Sequence, residues 1–247
     1  MHAPIFSLIN PSPCSLNLFP SLTLTLSFPK LKPPPMSSSP FINPTQFQCP
    51  QTLAEWLKPR LPYDLHSWGT VPGTKNITNL WLELFHGETL ITDSIPPTRT
   101  LNVAIVNVRN TDGQLLLEEK QEMSDGSVRE RMRPLSEKMK PGESIEGAAM
   151  RAIREELGFA LGSFDGVKIV KETYKTQVEE KVSASYPGLP ARYVLHCVEA
   201  RIDCLPNGEF FTEEGEYEGL SFAEDAVRVI RHYWKWVQSS KDAASGN

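Results

Sequence analysis

The chain has 247 residues, enough for one domain of ordinary size with extensions, and a formal net charge of −5. That acidic balance excludes the broad basic footprint of a nucleic-acid binder, and no apolar run is long and clean enough to span a bilayer as a helix. Four cysteines, Cys14, Cys49, Cys197 and Cys204, show neither C-x-x-C nor Cys/His zinc spacing, so neither a disulfide framework nor a structural zinc site is expected.

Residues 1–50 contain no Asp or Glu; the first acid is Glu55. They are rich in Ser, Pro, Leu and Phe, with Lys30 and Lys32 as the strong bases and no Arg. This composition predicts a transit peptide that does not fold, and the lack of Arg favours the chloroplast over the mitochondrion. A tail that targets nothing is the competing expectation. Residues 51–97 are read as an N-terminal extension. Thr52 to Leu57 predicts a short helix. Ile77, Leu80, Trp81, Leu84 and Phe85 recur at helical spacing and predict an amphipathic helix over Asn76 to His86. Between them lies a loop, with Trp68 as its anchor.

The main domain is expected over 98–240, with 241–247 a tail. TLNVAIVNV, Thr100 to Val108, is a β-rich run; Asp112-Gly113 predicts a hairpin turn, and Gln114 to Gln121 the return strand. Arg129, Arg131, Arg133 and Lys138 form a local basic cluster, read either as a phosphate clamp or as a solvated strand or loop. Further strands are expected at Val167 to Tyr174 and Ala191 to Ile202, with a loop over Thr176 to Pro190. His196 is expected to be structural, although it could touch substrate. The acid-dense stretch Leu205 to Gly219, with Glu209, Glu213, Glu214, Glu216 and Glu218, reads as a loop. Ser221-Phe222-Ala223-Glu224 reads as a capping box, opening a final helix to Gln238 whose apolar stripe is Val227, Ile230, Trp234 and Val237.

Pro141 to Phe159, PGESIEGAAMRAIREELGF, organises the rest. Pro141-Gly142 is a turn dipeptide. A helix is predicted from Ser144 or Ile145 to Gly158, where a glycine suits a positive φ just past the helix. Residues 152, 155 and 156 share a face, and two of them are carboxylates.

This stretch resembles the Nudix box, G-x5-E-x7-R-E-U-x-E-E-x-G-U with U bulky and apolar. Glu143 takes the first Glu position, Arg151 the Arg, Ile153 the first apolar position and Glu155-Glu156 the Glu pair; Gly158 and Phe159 close it. Glu137 stands where the family has its opening Gly, and Ala152 where it has the Glu after Arg. The resemblance implies an α/β fold, a Nudix-like α/β/α sandwich with a mixed curved sheet, its helices being the box helix and the C-terminal one. It also implies a Mg²⁺ (or Mn²⁺) dependent hydrolase of a nucleoside diphosphate-linked substrate, because clustered carboxylates hold ions that neutralise the charge developed in phosphoryl transfer. On that basis Glu156, Glu155 and Arg151 are the expected catalytic residues, with Glu155 and Glu156 on metal. Gly142, Glu143 and Gly158 support the loop, and Arg131, Arg133 and Glu216 contact substrate. Ligands are expected to be nucleotide-type small molecules, not a membrane and not a nucleic acid. Because Ala152 and Glu137 depart from the pattern, a fold retained as a nucleotide-binding or scaffold module without hydrolysis is the alternative.

Overall fold

A computed structural model describes residues 40–213 and 226–238. The chain divides at Ser38/Ser39 into two units, and all described residues belong to the second. The elements are α1 (Pro50–Leu57), α2 (Ile77–Phe85), β1 (Leu90–Ile91), β2 (Arg99–Arg109), β3 (Leu115–Met123), β4 (Val128–Arg133) and β5 (Leu135–Lys138). Then come α3 (Ile145–Leu157), β6 (Val167–Val182), β7 (Pro190–Ile202), β8 (Phe210–Glu213) and β9 (Val229–Val237), with short 3-10 turns at Pro44–Gln46, Leu65–Ser67 and Gly158–Ala160.

Among the described residues the strands form one large open sheet, ordered β6-β7-β2-β3-β9-β8, with β1 and β5 also on β2 and β4 on β3. The sheet is mixed: β2 runs parallel to β7 from Arg99↔Ala191 to Arg109↔Arg201 and antiparallel to β5. Strand β2 is buried on alternate positions, Ala104, Val106 and Val108, as expected for a strand with one face on a core. Helix α3 lies on that face. Its Ala149, Ala152, Ile153 and Leu157 join Val106, Val108, Leu135, Val198 and Trp234 in the main core. Small alanines on α3 let the helix sit close to the sheet.

A second core lies apart. Leu53 and Leu57 of α1, Leu80 and Trp81 of α2, Ile91, Tyr186 and Leu189 are buried together, and Ile42 and Phe47 close it. Helix α2 falls within the span expected for it, and Asn76 caps it, its side chain accepting from the Asn79 amide. Trp68 is the anchor anticipated for its loop, donating from Nε1 to the Pro187 carbonyl at 2.9 Å. The turn after β6 requires glycine at 188, since a Cβ there would lie 2.4 Å from Tyr63 atoms and φ is +82°.

Four expectations are corrected. The C-terminal stripe does not form a helix: Val229–Val237 is strand β9, set between β3 and β8. The capping box at Ser221 to Glu224 lies outside the described residues. Thr176 to Pro190 is not all loop, because β6 continues to Val182. Phe210–Glu213 within the acid-dense stretch is strand β8. Gly158 has φ −56°, so α3 passes through it into a 3-10 turn and the glycine is not needed for a left-handed cap.

Candidate active site

Arg151, midway along α3, is the hub of the box corner. Its Nε and Nη2 donate to the two oxygens of Glu143, both at 2.9 Å, and Nη2 also donates to the Lys138 carbonyl at 2.7 Å. Its Nη1 donates to Glu155 Oε2 at 2.9 Å and lies 3.6 Å from Glu137 Oε1. Charge-assisted bidentate pairs of this kind fix geometry as well as energy. The Glu143 carboxyl is held below its ordinary range, chiefly by the bonds from Arg151. Its Oε2 further accepts from the Lys140 amide at 2.9 Å, so the loop carrying Gly142 (φ +73°) is tied to the helix it precedes. Glu137, in the place of the family glycine, sits on β5 opposite Ala104. Burial pushes its carboxyl up, with Lys138 and Arg151 opposing. Its side chain does not stand empty in the groove; it joins the ion cluster around Arg151.

Glu155 and Glu156 point different ways. Glu155 turns outward to Arg151. Glu156 follows Ala152 by one turn, faces the sheet, and is buried. There it meets Glu118 of β3 and His232 of β9: one ligand atom from each of the three lies within 4.8 Å of the others. His232 Nδ1 is 2.5 Å from Glu118 Oε1 and 3.6 Å from Glu156 Oε2. Arg131 of β4 donates from Nε to Glu118 Oε2 at 3.0 Å. Burial opposes ionisation of Glu118, but the hydrogen bond from His232 and the charge of Arg131 prevail and hold its pKa below the usual value. A bulge between Glu118 and Lys120 resets the alternation of β3, so Glu118 and Gln121 are both buried. Gln121 is the cross-strand partner of His232, and its buried Oε1 has no hydrogen-bond partner.

Two carboxylates and an imidazole with ligand atoms within 4.8 Å of one another are a donor set that could hold a divalent cation. Imidazole is a ligand for borderline ions, while Mg²⁺ prefers oxygen ligands and keeps several waters.

The other expected site residues are dispersed. Arg131 belongs to the Glu118 cluster and Arg133 ends β4 on the surface. Glu213 pairs with Arg231 at 2.7 Å; Glu216 lies outside the described residues. Glu118, His232 and Gln121 were not singled out from the sequence. The readable signal for His232 was strand alternation through the aromatic run Tyr233, Trp234, Trp236, masked when that run was taken as helix.

A box helix bearing a locked Arg–Glu corner, laid on one face of an open mixed sheet, defines a Nudix-like α/β domain. The model of the NUDIX domain matches residues 98–239, more than half of the chain, and the chain belongs to that family. A search of curated proteins finds no match. Among solved structures the chain is similar to an Ap4A hydrolase from C. elegans (18% identity, 58% of this chain and 82% of that one, TM-score 0.32). It is similar also to a Nudix hydrolase from Nitrosomonas europaea (16%, 59% and 76%, 0.33) and to the dihydroneopterin triphosphate pyrophosphohydrolase of E. coli (16%, 58% and 84%, 0.32).

Proposed function

We propose that this protein is a divalent-cation-dependent hydrolase of a nucleoside diphosphate-linked substrate. The observation that carries the reading is the convergence of Glu156, from the box, with Glu118 and His232, from outside it, within 4.8 Å. A divalent ion held there supplies the charge neutralisation that phosphoryl transfer needs. The chain's own residues prepare for it. Arg131 and His232 keep Glu118 ionised despite its burial. Arg151 ties Glu143, Glu155 and the Lys138 carbonyl together, setting the loop and the first turns of α3 against the sheet.

A second reading, a nucleotide-binding module without hydrolysis, is favoured by one observation: Arg131 and His232 both contact the buried Glu118, and His232 also lies 3.6 Å from Glu156, so the two carboxylates have protein partners of their own. The experiment that separates the two measures phosphate or diphosphate release from nucleoside triphosphates, dinucleotides and nucleotide sugars with Mn²⁺ or Mg²⁺, alongside calorimetric titration of Mn²⁺. Turnover is expected with Mn²⁺ above Mg²⁺, and Glu156→Gln should lower both Mn²⁺ affinity and turnover by about tenfold or more. Mn²⁺ binding without turnover of any substrate selects the second reading. Absence of both removes the metal site altogether.

A further inference from the structure

The sheet face that carries α3 is only partly covered. In-register residues on neighbouring strands point to the same face, so Leu135, Val106 and Val198 form one row, closed by the main core. Glu137, Ala104, His196 and Thr176 form the next. Met139, Ile145 and Ala148 pack over Ala104. Beyond Ala104 the face opens: His196 and Val194 are half-buried, while Asn102 and Val178 are exposed.

On this open part three polar side chains are joined. The Tyr174 hydroxyl lies 2.9 Å from His196 Nδ1, and His196 Nε2 lies 3.1 Å from Asn102 Oδ1. The Tyr174 and His196 rings are within 13° of parallel with centroids 6.1 Å apart. A hydrogen bond running from the phenol oxygen to the imidazole edge accounts for that separation with the rings side by side, nearly in one plane, rather than face to face. In the neutral tautomer protonated on Nε2, the imidazole donates to Asn102 and accepts from Tyr174, so both contacts are satisfied. Burial lowers the His196 pKa and favours that neutral form. The two rings are thus oriented before any ligand arrives, which reduces the ordering cost of binding. Tyr174 is 45% exposed, so the pair is reachable from solvent.

We propose that Tyr174 and His196 form a stacking platform for the nucleobase of a nucleotide ligand, with Asn102 fixing the imidazole and offering its amide to the base edge. The position suits this role. His196 is two strand spacings, about 10 Å, from Glu137, which contacts Arg151. The platform and the box corner therefore address different ends of one molecule. The hydrophobic pair Val178 and Val194 extends the flat surface on the side away from α3. Stacking tolerates any base, because each has a π-face. The inference rests on the nucleotide reading of the box, but its test does not depend on hydrolysis.

The test measures dissociation constants, by calorimetry with Mn²⁺ present, for the adenosine, guanosine, cytidine and uridine diphosphates and for inorganic diphosphate. Wild type is compared with Tyr174→Ala, Tyr174→Phe and His196→Ala, each checked for unchanged thermal unfolding. Tyr174→Ala and His196→Ala should weaken nucleoside diphosphate binding by about 5- to 150-fold and leave inorganic diphosphate unaffected. Tyr174→Phe, which keeps the ring, should lose less than Tyr174→Ala. The proposal is overturned if wild type binds no nucleoside diphosphate more tightly than inorganic diphosphate. It is equally overturned if Tyr174→Ala binds them as wild type does, or loses inorganic diphosphate in equal measure. Platform-dependent binding without hydrolysis leaves the platform standing and removes the hydrolase reading; hydrolysis indifferent to Tyr174→Ala does the reverse.

Discussion

Glu83 is a single carboxylate on which three parts of the chain converge. It lies on α2, nearly inaccessible to solvent, and forms an ion pair with Arg99 at the start of β2. Lys138 of β5 is 3.3 Å away, Lys75 3.6 Å, and the Tyr186 hydroxyl donates to it at 3.1 Å. Burial alone would raise the Glu83 pKa, yet Arg99, Lys138 and Lys75 together drive it well below the carboxylate range. Lys138 also gives its carbonyl to Arg151, so the N-terminal segment and the box corner share one residue. Removing one charge from such a network leaves the others buried without compensation, so Glu83→Gln should destabilise by about 3–5 kcal/mol. The sign of the pH dependence follows from the depressed pKa. The stabilisation is fully present above the unfolded value, about 4.3, and is lost as pH falls through the lower folded value. In urea titrations between pH 3 and 7, the gap between wild type and Glu83→Gln should be constant near neutrality and shrink below about pH 4.3. A gap independent of pH would show that the carboxylate is not the source of the effect.

At the level of elements, local patterns and global packing agree in the first half of the domain and part company in the second. The β2–β3 hairpin, α2 and α3 were all legible, because each carries a strong period bounded by a turn or a cap: Asn76 before α2, Ser144 before α3, Gly113 between the strands. Strand β9 was not. Val227, Ile230, Trp234 and Val237 fit a helical stripe, but Val229 to Val237 is dense in β-branched and aromatic residues that favour strands. With β3 and β8 available on either side, the extended form buries His232 and Trp234. The far half of β6 was missed for the opposite reason. It is a charged edge strand with both faces largely solvated, so no period marks it. Within the site, Arg151 and Glu143 were singled out by their places in the motif resemblance, but their pairing with each other was not. The Glu118–Glu156–His232 cluster depends on a bulge and on pairings far apart in sequence. Two substitutions distinguish strand from helix in β9. Ile230 is 43% exposed, so Ile230→Ala should cost about 1 kcal/mol or less, whereas a buried stripe position would cost about 2–5 kcal/mol. Trp234, 1% exposed and bonded from Nε1 to Thr212 Oγ1 at 2.9 Å, should cost about 3–5 kcal/mol on truncation to alanine. Equal costs at the two positions, read from chemical denaturation, would contradict the strand register.

At the scale of the whole molecule, the second core sets where the chain can be shortened. The acid-free composition of residues 1–50 placed a boundary near 50, but packing begins earlier. Ile42 donates its amide to the Ile91 carbonyl at 2.9 Å, and the Phe47 carbonyl accepts from Trp81 Nε1 at 2.9 Å. Burial of the Ile42 and Phe47 side chains contributes about 3–6 kcal/mol, and the entropy of ordering their segment offsets a large part of it. What remains after deletion is the uncovered apolar surface of Leu53 and Trp81 and the loss of the hydrogen bond from Trp81 Nε1 to the Phe47 carbonyl, worth about 0.5–1.5 kcal/mol. A protein lacking residues 1–50 should therefore unfold several degrees below one lacking residues 1–38, since about 1 kcal/mol corresponds to roughly 2–4 °C at this size. Identical melting temperatures would show that the segment holding Ile42 and Phe47 adds nothing to the second core. The same argument constrains the proposed chloroplast import. If the leading segment directs import and is then removed, cleavage near residue 50 would strip the second core, whereas cleavage at or before Pro40 preserves it. A fluorescent protein carrying residues 1–38 should enter chloroplasts, and N-terminal sequencing of the mature protein should begin no later than Phe41. Diffuse fluorescence removes the targeting proposal. A mature terminus beyond Phe47 would mean that the protein functions without the contacts that close its second core.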